Sequence, residues 1–185
     1  MPHFRHPLYT GKVPALPYIR FATEADVSAI YSLIVELAVY EREPDAVAIT
    51  ETDLLRDGWD PHPHFTCLVA EDSGKVCGFA LYHPTYSTWQ GRSLYLEDLY
   101  VQPGHRGRGV GTALLARVAA EAVRRDCARL DWSVLTWNEP ALHMYEHLGA
   151  YRMEEWRRMR LSGDGLAILA AQALRDDQTT TEVLP

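Results

Sequence analysis

The sequence predicts a single α/β domain in which a mixed sheet carries helices on both faces. Segments with strand-like alternation and segments with helical spacing follow one another along the chain. A short glycine-containing link, SGK, joins two of the strand-like segments and is typical of an antiparallel hairpin. The length of 185 residues, of which 47% are hydrophobic, suits one core rather than two.

The first half of the chain predicts strands around two helices. After an initial alternating segment, Thr23 resembles the first residue of a capping box, and the apolar positions behind it recur at helical spacing until Pro44. Thr50 caps a second, short helix that stops at Gly58. The hairpin follows this helix. The predicted strands in this half are residues 18–22, 64–72 and 76–84.

The second half alternates strand and helix. The stretch after Gly109 places apolar residues on one face of a helix of about four turns. Asn138 caps a short helix, with Pro140 in its first turn and Gly149 just past its end. Three strands are predicted at 92–102, 128–137 and 154–162, and a closing helix at 165–174. The predicted domain organisation is an irregular arm over 1–17, one domain over 18–175 and a flexible tail over 176–185.

Composition narrows the class of partner. The formal charge of −7 argues against a nucleic-acid backbone and favours a small cationic molecule. No apolar run approaches the roughly 20 residues that cross a bilayer, and no secretory signal precedes the domain, so we expect a cytoplasmic protein. Cys67, Cys77 and Cys127 are expected to be free thiols, and no histidine or cysteine pattern predicts a metal.

The turn QPGHRGRGVGTALL, between a strand and a helix, predicts an anion site. A Walker loop would need a lysine after its last glycine, and a dinucleotide fingerprint would need a different glycine spacing after an N-terminal strand. Each glycine disfavours a helix by up to about 1 kcal/mol. A plain solvated turn does not explain why glycines stand where this helix begins. Bare N–H groups beside Arg106 and Arg108 suit a phosphate or a diphosphate.

These residues carry a family resemblance. The pattern R-x-x-G-x-G (Arg106, Gly109, Gly111) resembles the acyl-CoA diphosphate loop of the GCN5-related N-acetyltransferases (GNAT). LYLEDLYV, HRGRGVGTALL and WNEPALHMYEHLGA, in this order, closely resemble the spermidine/spermine (diamine) acetyltransferases, as do three segments nearer the N-terminus. The resemblance covers about residues 18–169. It implies the GNAT fold, with a twisted, mostly antiparallel sheet of about six to seven strands and a splayed, bulged central strand.

The resemblance implies acetyl-CoA as cosubstrate and an N-acetyltransferase as the activity, by direct attack within a ternary complex. Asn138 would contact the cofactor as well as cap a helix. The backbone of the central strand would pair with the pantetheine amides as another strand would. The cofactor-binding residues implied are Leu99, Tyr100, Val101, Arg106, Gly107, Arg108, Gly109, Val110, Gly111, Thr112, Asn138 and Ala141.

The resemblance implies Glu97 as the catalytic base and Tyr145 as the acid. Adjacent residues on a regular strand point to opposite faces, so Glu97 and Asp98 can enter one pocket only if a bulge intervenes. Helical spacing alone would make Tyr145 a packed core residue, and its segment, MYEHLGA, is what indicates catalysis. Its phenol either donates its proton to the thiolate or donates a hydrogen bond.

The acceptor implied is a primary amine of a di- or polyamine or of a lysine-like small molecule. An acidic, aromatic groove suits a long cation through ion pairing and cation–π contact. Its implied residues are Tyr40, Glu41, Trp89, Glu97, Asp98, Asp131, Trp132 and Glu155. The sequence departs from the polyamine enzymes at Val39, where they carry a lysine, and at Arg108, where they carry an aromatic residue.

Two further functions are compatible with the loop. A protein lysine acetyltransferase would take a bulkier substrate, which a groove closed by residues 86–90 would disfavour. A non-catalytic acyl-CoA-binding regulator would keep the arginine–glycine loop but need neither Glu97 nor Tyr145. The resemblance also implies a homodimer.

Overall fold

The computed structural model describes residues 16–181 of the chain, with side chains described for residues 16–173. The chain divides into two compact units, which meet in sequence at Met144 and Tyr145. The predicted N-terminal arm and the predicted tail fall largely outside the residues whose side chains are described.

The first unit is built on one five-stranded mixed sheet in the order β1-β2-β3-β4-β5. The first three pairings are antiparallel, and only β4 and β5 run parallel. This arrangement confirms a mixed, mostly antiparallel sheet. The strands are β1 (Tyr18–Phe21), β2 (Thr66–Asp72), β3 (Lys75–Ser87), β4 (Gly91–Val101) and β5 (Arg129–Trp132).

Among residues 16–181, four α-helices begin in the first unit and a fifth lies in the second. Thr50 caps the second helix as predicted, because its Oγ1 accepts a hydrogen bond from the Asp53 N–H at 3.2 Å. The helix after Gly109 has the predicted length of about four turns. The helices are α1 (Val27–Tyr40), α2 (Glu51–Trp59), α3 (Val110–Arg124), α4 (Glu139–His147) and α5 (Gly163–Thr181).

An ion pair secures the passage from β1 into α1. The Arg20 guanidinium donates to both Asp26 carboxylate oxygens, at 2.7 and 2.8 Å. The Thr23 N–H donates to the same carboxylate at 2.7 Å. These bonds, led by that of Arg20, lower the pKa of the buried Asp26 to about 2. The carboxylate therefore joins the strand, the turn and the helix start.

The core lies on both faces of the sheet. On one face, apolar residues of α1 and α2 pack against Cys67 and Val69 of β2 and Phe79 of β3. Successive strand residues point to opposite faces, so Leu68 and Ala70, which are fully buried, point the other way. α3 covers that second face, with its buried positions Val110, Leu114, Leu115, Val118 and Ala122.

Two predicted strands and the predicted number of strands differ from the structure. The strand predicted over 154–162 is wrong, because residues 154–162 form neither strand nor helix. A strand needs neighbouring backbone to pair with, and no pairing of this segment is found among the described residues. The segment leaves Trp156 67% and Met159 87% exposed. β5 stops at Trp132, five residues short of its predicted end at 137. Within residues 16–181 the sheet has five strands, where about six to seven were predicted.

Candidate active site

A β-bulge in β4 places the two predicted carboxylates. Leu81 of β3 pairs with Asp98, while the next residue, Tyr82, pairs with Leu96, so Glu97 is the extra residue in β4. The bulge interrupts the alternation of the strand. The objection that adjacent carboxylates must point to opposite faces is thereby removed.

Glu97 and Asp98 lie side by side at this bulge, and the charge of Glu41 also acts on Asp98. Burial, the charge of Glu97 and the charge of Glu41 together raise the pKa of Asp98 from 3.8 to about 7. Partial burial also raises the pKa of Glu41. The His83 Nε2 lies 3.6 Å from the Glu97 Oε2, on the neighbouring strand. Such a cluster attracts a cation and contains a carboxyl that changes protonation near neutral pH.

The edge of β4 opens directly after the bulge. The parallel ladder between β4 and β5 runs from Ser93 to Leu96 and ends where β5 ends, at Trp132. From Glu97 to Val101, β4 has no strand partner on that side among the described residues. The polar groups of that backbone edge are the ones expected to bind pantetheine.

The glycine turn leads from this edge into α3. Gly107 and Gly109 have φ angles of 70° and 83°, which favour glycine over other residues. The first helical hydrogen bond runs from the Ala113 N–H to the Gly109 carbonyl, so the N–H groups of Val110, Gly111 and Thr112 have no acceptor within the helix. A Cβ on Gly107 would meet no atom within 4 Å. The turn is open and lined with donors, which fits a diphosphate.

Arg106 turns back toward β4 rather than extending from the turn. Its Nε donates to the Val101 carbonyl at 2.7 Å. Its guanidinium lies 4.8 Å from the centre of the Tyr40 ring and 5.2 Å from that of Tyr100. Tyr40 in turn donates to the Asn138 Oδ1 at 3.0 Å. The structure therefore brings together predicted cofactor residues and one predicted substrate residue.

Asp72 links the β2–β3 turn to the glycine turn. Its Oδ2 lies 3.4 Å from the His105 Nε2 and 3.7 Å from the Arg108 Nη1. Arg108, where the polyamine enzymes carry an aromatic residue, thus has a carboxylate partner on a neighbouring element. The pair holds the loop against the sheet, next to the amide groups of α3.

Three residues predicted to contact the acceptor, Trp89, Asp131 and Trp132, lie outside the bulge that carries Glu97 and Asp98. Trp89 is 86% exposed, in the link between β3 and β4. Asp131, on β5, is paired with Arg129 at 2.7 Å, which reduces its power to attract a substrate cation. Trp132 pairs with Leu96 at the end of the parallel ladder.

Ala141, in the first turn of α4, donates its N–H to the Asn138 carbonyl at 3.1 Å. In the second unit, burial raises the pKa of Tyr145 to about 12. Glu155 is exposed. Neither observation tests the roles predicted for Tyr145 and Glu155, which therefore stay predictions.

Three contact residues were not predicted from the sequence. Glu36 of α1 accepts from the Tyr100 hydroxyl at 3.1 Å and from the Gln102 Nε2 at 2.9 Å, and so supports the end of β4. His83 faces Glu97, and Trp137 packs 5.9 Å from Tyr40, measured between ring centres. Each contact joins residues far apart in the chain, so no local pattern indicates it.

Comparison with known proteins identifies the class. The sequence profile of the acetyltransferase (GNAT) family matches residues 27–150. The chain therefore belongs to the acetyltransferase (GNAT) family, and it is an acetyl-CoA-dependent N-acetyltransferase. Within the residues described, no helix is long and apolar enough to span a membrane, and no group of three or more His, Cys, Asp or Glu could hold a metal ion.

Named relatives place the chain more narrowly. It is 40% identical to a thialysine N-epsilon-acetyltransferase of Bos taurus over 169 residues, which cover 85% of this chain and 99% of the relative. It is 38% identical to the spermidine/spermine N(1)-acetyltransferase-like protein 1 of Homo sapiens over 162 residues, which cover 82% of this chain and 23% of that protein. These relatives confirm the predicted resemblance.

Solved structures share the fold. An integron cassette protein from the mobile metagenome of V. cholerae superposes with a TM-score of 0.69 at 28% identity, over 83% of this chain and 96% of that one. An aminoglycoside N-acetyltransferase in complex with CoA superposes with a TM-score of 0.61 at 20% identity, over 79% of this chain and all of the other. The second likeness concerns the fold alone.

Proposed function

We propose that the protein acetylates a primary amine of a di- or polyamine or of a lysine-like small molecule by direct attack on acetyl-CoA in a ternary complex. The observation that carries this proposal is the placement of Glu97 and Asp98 together at the β4 bulge, in the strand that leads into the glycine turn, with the charge of Glu41 acting on Asp98. A carboxylate cluster attracts a cationic amine and can also accept its proton.

Removal of that proton is the first chemical requirement. An amine with a pKa near 10.4 is neutral in about one molecule per few thousand at pH 7, which costs roughly 4 to 5 kcal/mol. Asp98, with a pKa of about 7, binds a proton more readily than an ordinary carboxylate does. We assign acceptance of the proton to Glu97, which is half-exposed and directly precedes Asp98 in the bulged strand.

The glycine turn before α3 and the unpaired edge of β4 would bind the acyl donor. Acetyl-CoA supplies an activated acyl group as a thioester. The N–H groups of Val110, Gly111 and Thr112 would hold its diphosphate, and the edge from Leu99 to Val101 would hold its pantetheine arm. The Val101 carbonyl keeps a second lone pair while it accepts from Arg106.

Tyr145 is best suited to donate a hydrogen bond. A phenol with a pKa of about 12 is protonated throughout the neutral range. Full transfer of its proton to a thiolate of pKa near 8.5 would be uphill by roughly 5 kcal/mol. A hydroxyl that keeps its proton can still stabilise the charge that develops on the departing sulfur.

Direct attack is favoured over a covalent acetyl-enzyme. Burial raises the pKa of the Cys67 and Cys77 thiols, which disfavours the thiolates that a covalent route needs.

The small-amine acceptor is supported by the relatives, which are named for thialysine and spermidine/spermine. Trp89, Asp131, Trp132 and Glu155 stay predicted acceptor contacts, and the cytoplasmic location and the homodimer stay predictions.

The test is free-thiol release from acetyl-CoA across putrescine, spermidine, spermine, lysine analogues and a histone peptide. We expect turnover with small amines and little with the peptide. Intersecting initial-velocity lines would support a ternary complex, whereas parallel lines would indicate a covalent intermediate. Glu97→Gln should reduce turnover, while Glu24→Gln, at an exposed carboxylate outside the site, should not.

Absence of turnover with every amine, despite measurable acetyl-CoA binding, would refute the proposal in favour of a non-catalytic acyl-CoA-binding regulator. Preference for the peptide would refute it in favour of a protein lysine acetyltransferase.

A further inference from the structure

An arginine occupies a backbone position that favours glycine at the end of α1. The Glu43 N–H donates to the Ala38 carbonyl at 2.9 Å, and the Arg42 N–H donates to the Val39 carbonyl at 3.1 Å. This pair of bonds is a Schellman motif, and Arg42 is its left-handed residue, with a φ of 69°. Left-handed backbone is unfavourable for any residue with a Cβ. The left-handed backbone sets the point at which the Arg42 side chain leaves the end of α1.

The Arg42 side chain lies on an aromatic ring at the edge of the site. Its guanidinium carbon is 4.3 Å from the centre of the Trp137 ring. Trp137 in turn packs against Tyr40, which donates to Asn138. A guanidinium that stacks on a ring keeps its in-plane N–H donors available for a planar anion.

Arg42 has no carboxylate partner within residues 16–173. Arg106, the other arginine of this region, is already committed to the Val101 carbonyl and to two tyrosine rings. Glu41, directly before Arg42 in the chain, contributes its charge to the carboxylate cluster around Asp98. The end of α1 therefore presents a negative charge to the cluster and an available guanidinium beside it.

This charge pattern matches an acceptor with an amine at one end and a carboxylate at the other. A diamine has cations at both ends and gains nothing from Arg42. We propose that Arg42 binds the α-carboxylate of a basic amino acid whose side-chain amine is acetylated, and that it thereby sets the preference for such amino acids over diamines. The inference rests on the amine acetyltransferase activity proposed above, because it assigns one end of the same acceptor.

The test compares L-lysine with cadaverine, which is lysine without its carboxylate. The measured quantity is the ratio of kcat/KM for L-lysine to that for cadaverine, in the wild type and in three variants. Arg42→Met removes the charge at similar length, and Arg42→Lys keeps the charge without the planar fork. Arg42→Gly removes the side chain and also relieves the left-handed strain, so its melting temperature should be no lower than that of the wild type.

We expect the ratio to fall about tenfold in Arg42→Met and Arg42→Gly, mainly through the KM for L-lysine, and to fall less in Arg42→Lys. An unchanged ratio in Arg42→Gly would overturn the inference while leaving the amine acetyltransferase activity intact. A KM for acetyl-CoA that rises equally with both acceptors would also overturn it, because Arg42 would then bind a coenzyme phosphate. A wild type that acetylates neither acceptor nor any other amine would overturn both proposals.

Discussion

The Asp98 carboxyl should make the stability of the protein fall as pH rises. Its pKa is 3.8 in an ordinary setting and about 7 in the folded chain, first because it is buried and then because Glu97 and Glu41 lie near it. Between these two pH values, the folded chain retains a proton that the unfolded chain has released. The free energy of unfolding therefore declines from about pH 4 to about pH 7 and stays lower above that.

The substitution Asp98→Asn removes this dependence, because an amide has the shape of the neutral carboxyl and does not ionise. An interval of roughly 3 pH units, at about 1.4 kcal/mol each, amounts to about 4 kcal/mol. The free energy of unfolding of Asp98→Asn, relative to the wild type, should thus rise by up to about 4 kcal/mol between about pH 4 and pH 8. Most of that rise should fall below pH 7.

Urea unfolding at half-unit pH steps measures the difference directly, since other titrating groups are common to both proteins. Asp45→Asn, at an exposed carboxylate outside the site, is the matched control and should not reproduce the rise expected for Asp98→Asn. Glu97→Gln removes one of the charges that raise the pKa of Asp98, so the fall of stability with pH should end at a lower pH than in the wild type. The pKa of Asp98 should still stay above 3.8, because burial is the largest cause of the shift. Curves for Asp98→Asn and the wild type that run parallel from pH 4 to pH 8 would refute the reasoning.

Three other perturbations test the turn, the phenol and the start of α1. Gly109→Ala puts a Cβ at a φ of 83°, with its nearest contact at 3.7 Å, so the cost is conformational, and acetyl-CoA affinity by calorimetry should fall about tenfold. Gly104→Ala, which has open space and no positive φ, is its control, and equal losses would contradict the strain argument. Tyr145→Phe should lose at least about tenfold in turnover with unchanged acetyl-CoA affinity, and full turnover would exclude Tyr145 as a donor. Asp26→Asn, which breaks the bonds with Arg20, should lower the free energy of unfolding by about 2 to 3 kcal/mol at neutral pH. That loss should shrink as pH falls through about 2, where the wild-type carboxylate takes up its proton, and a loss that persists there would contradict the ion-pair account.

Local patterns in the sequence predicted most elements of the first unit. Thr50 caps α2, and Gly109 stands directly before α3, because caps and turns depend on groups a few residues apart. The strand predicted over 154–162 failed for the opposite reason. Its apolar residues Met159 and Leu161 alternate with arginines, but strand formation depends on a partner that local sequence does not specify.

Some features of the candidate site were predicted from the sequence, and others were found only in the structure. The carboxylates and the glycine turn were visible in the sequence, and the bulge was an expectation from the resemblance. The contacts of Arg106 with the rings of Tyr40 and Tyr100 were not visible, nor was the approach of His83 to Glu97. Side-chain direction at these positions follows from strand register and helix packing rather than from spacing along the chain.

The sequence by itself therefore determined the helical and hairpin elements, the donor-lined turn and the class of chemistry, because each depends on residues close together along the chain. The tertiary structure decided which charges meet. It brought the charge of Glu41 to act on Asp98, and it placed Tyr40 against Asn138 and Arg42 on Trp137. Burial and long-range proximity set a pKa or leave a guanidinium available, and both properties arise only once the chain has folded.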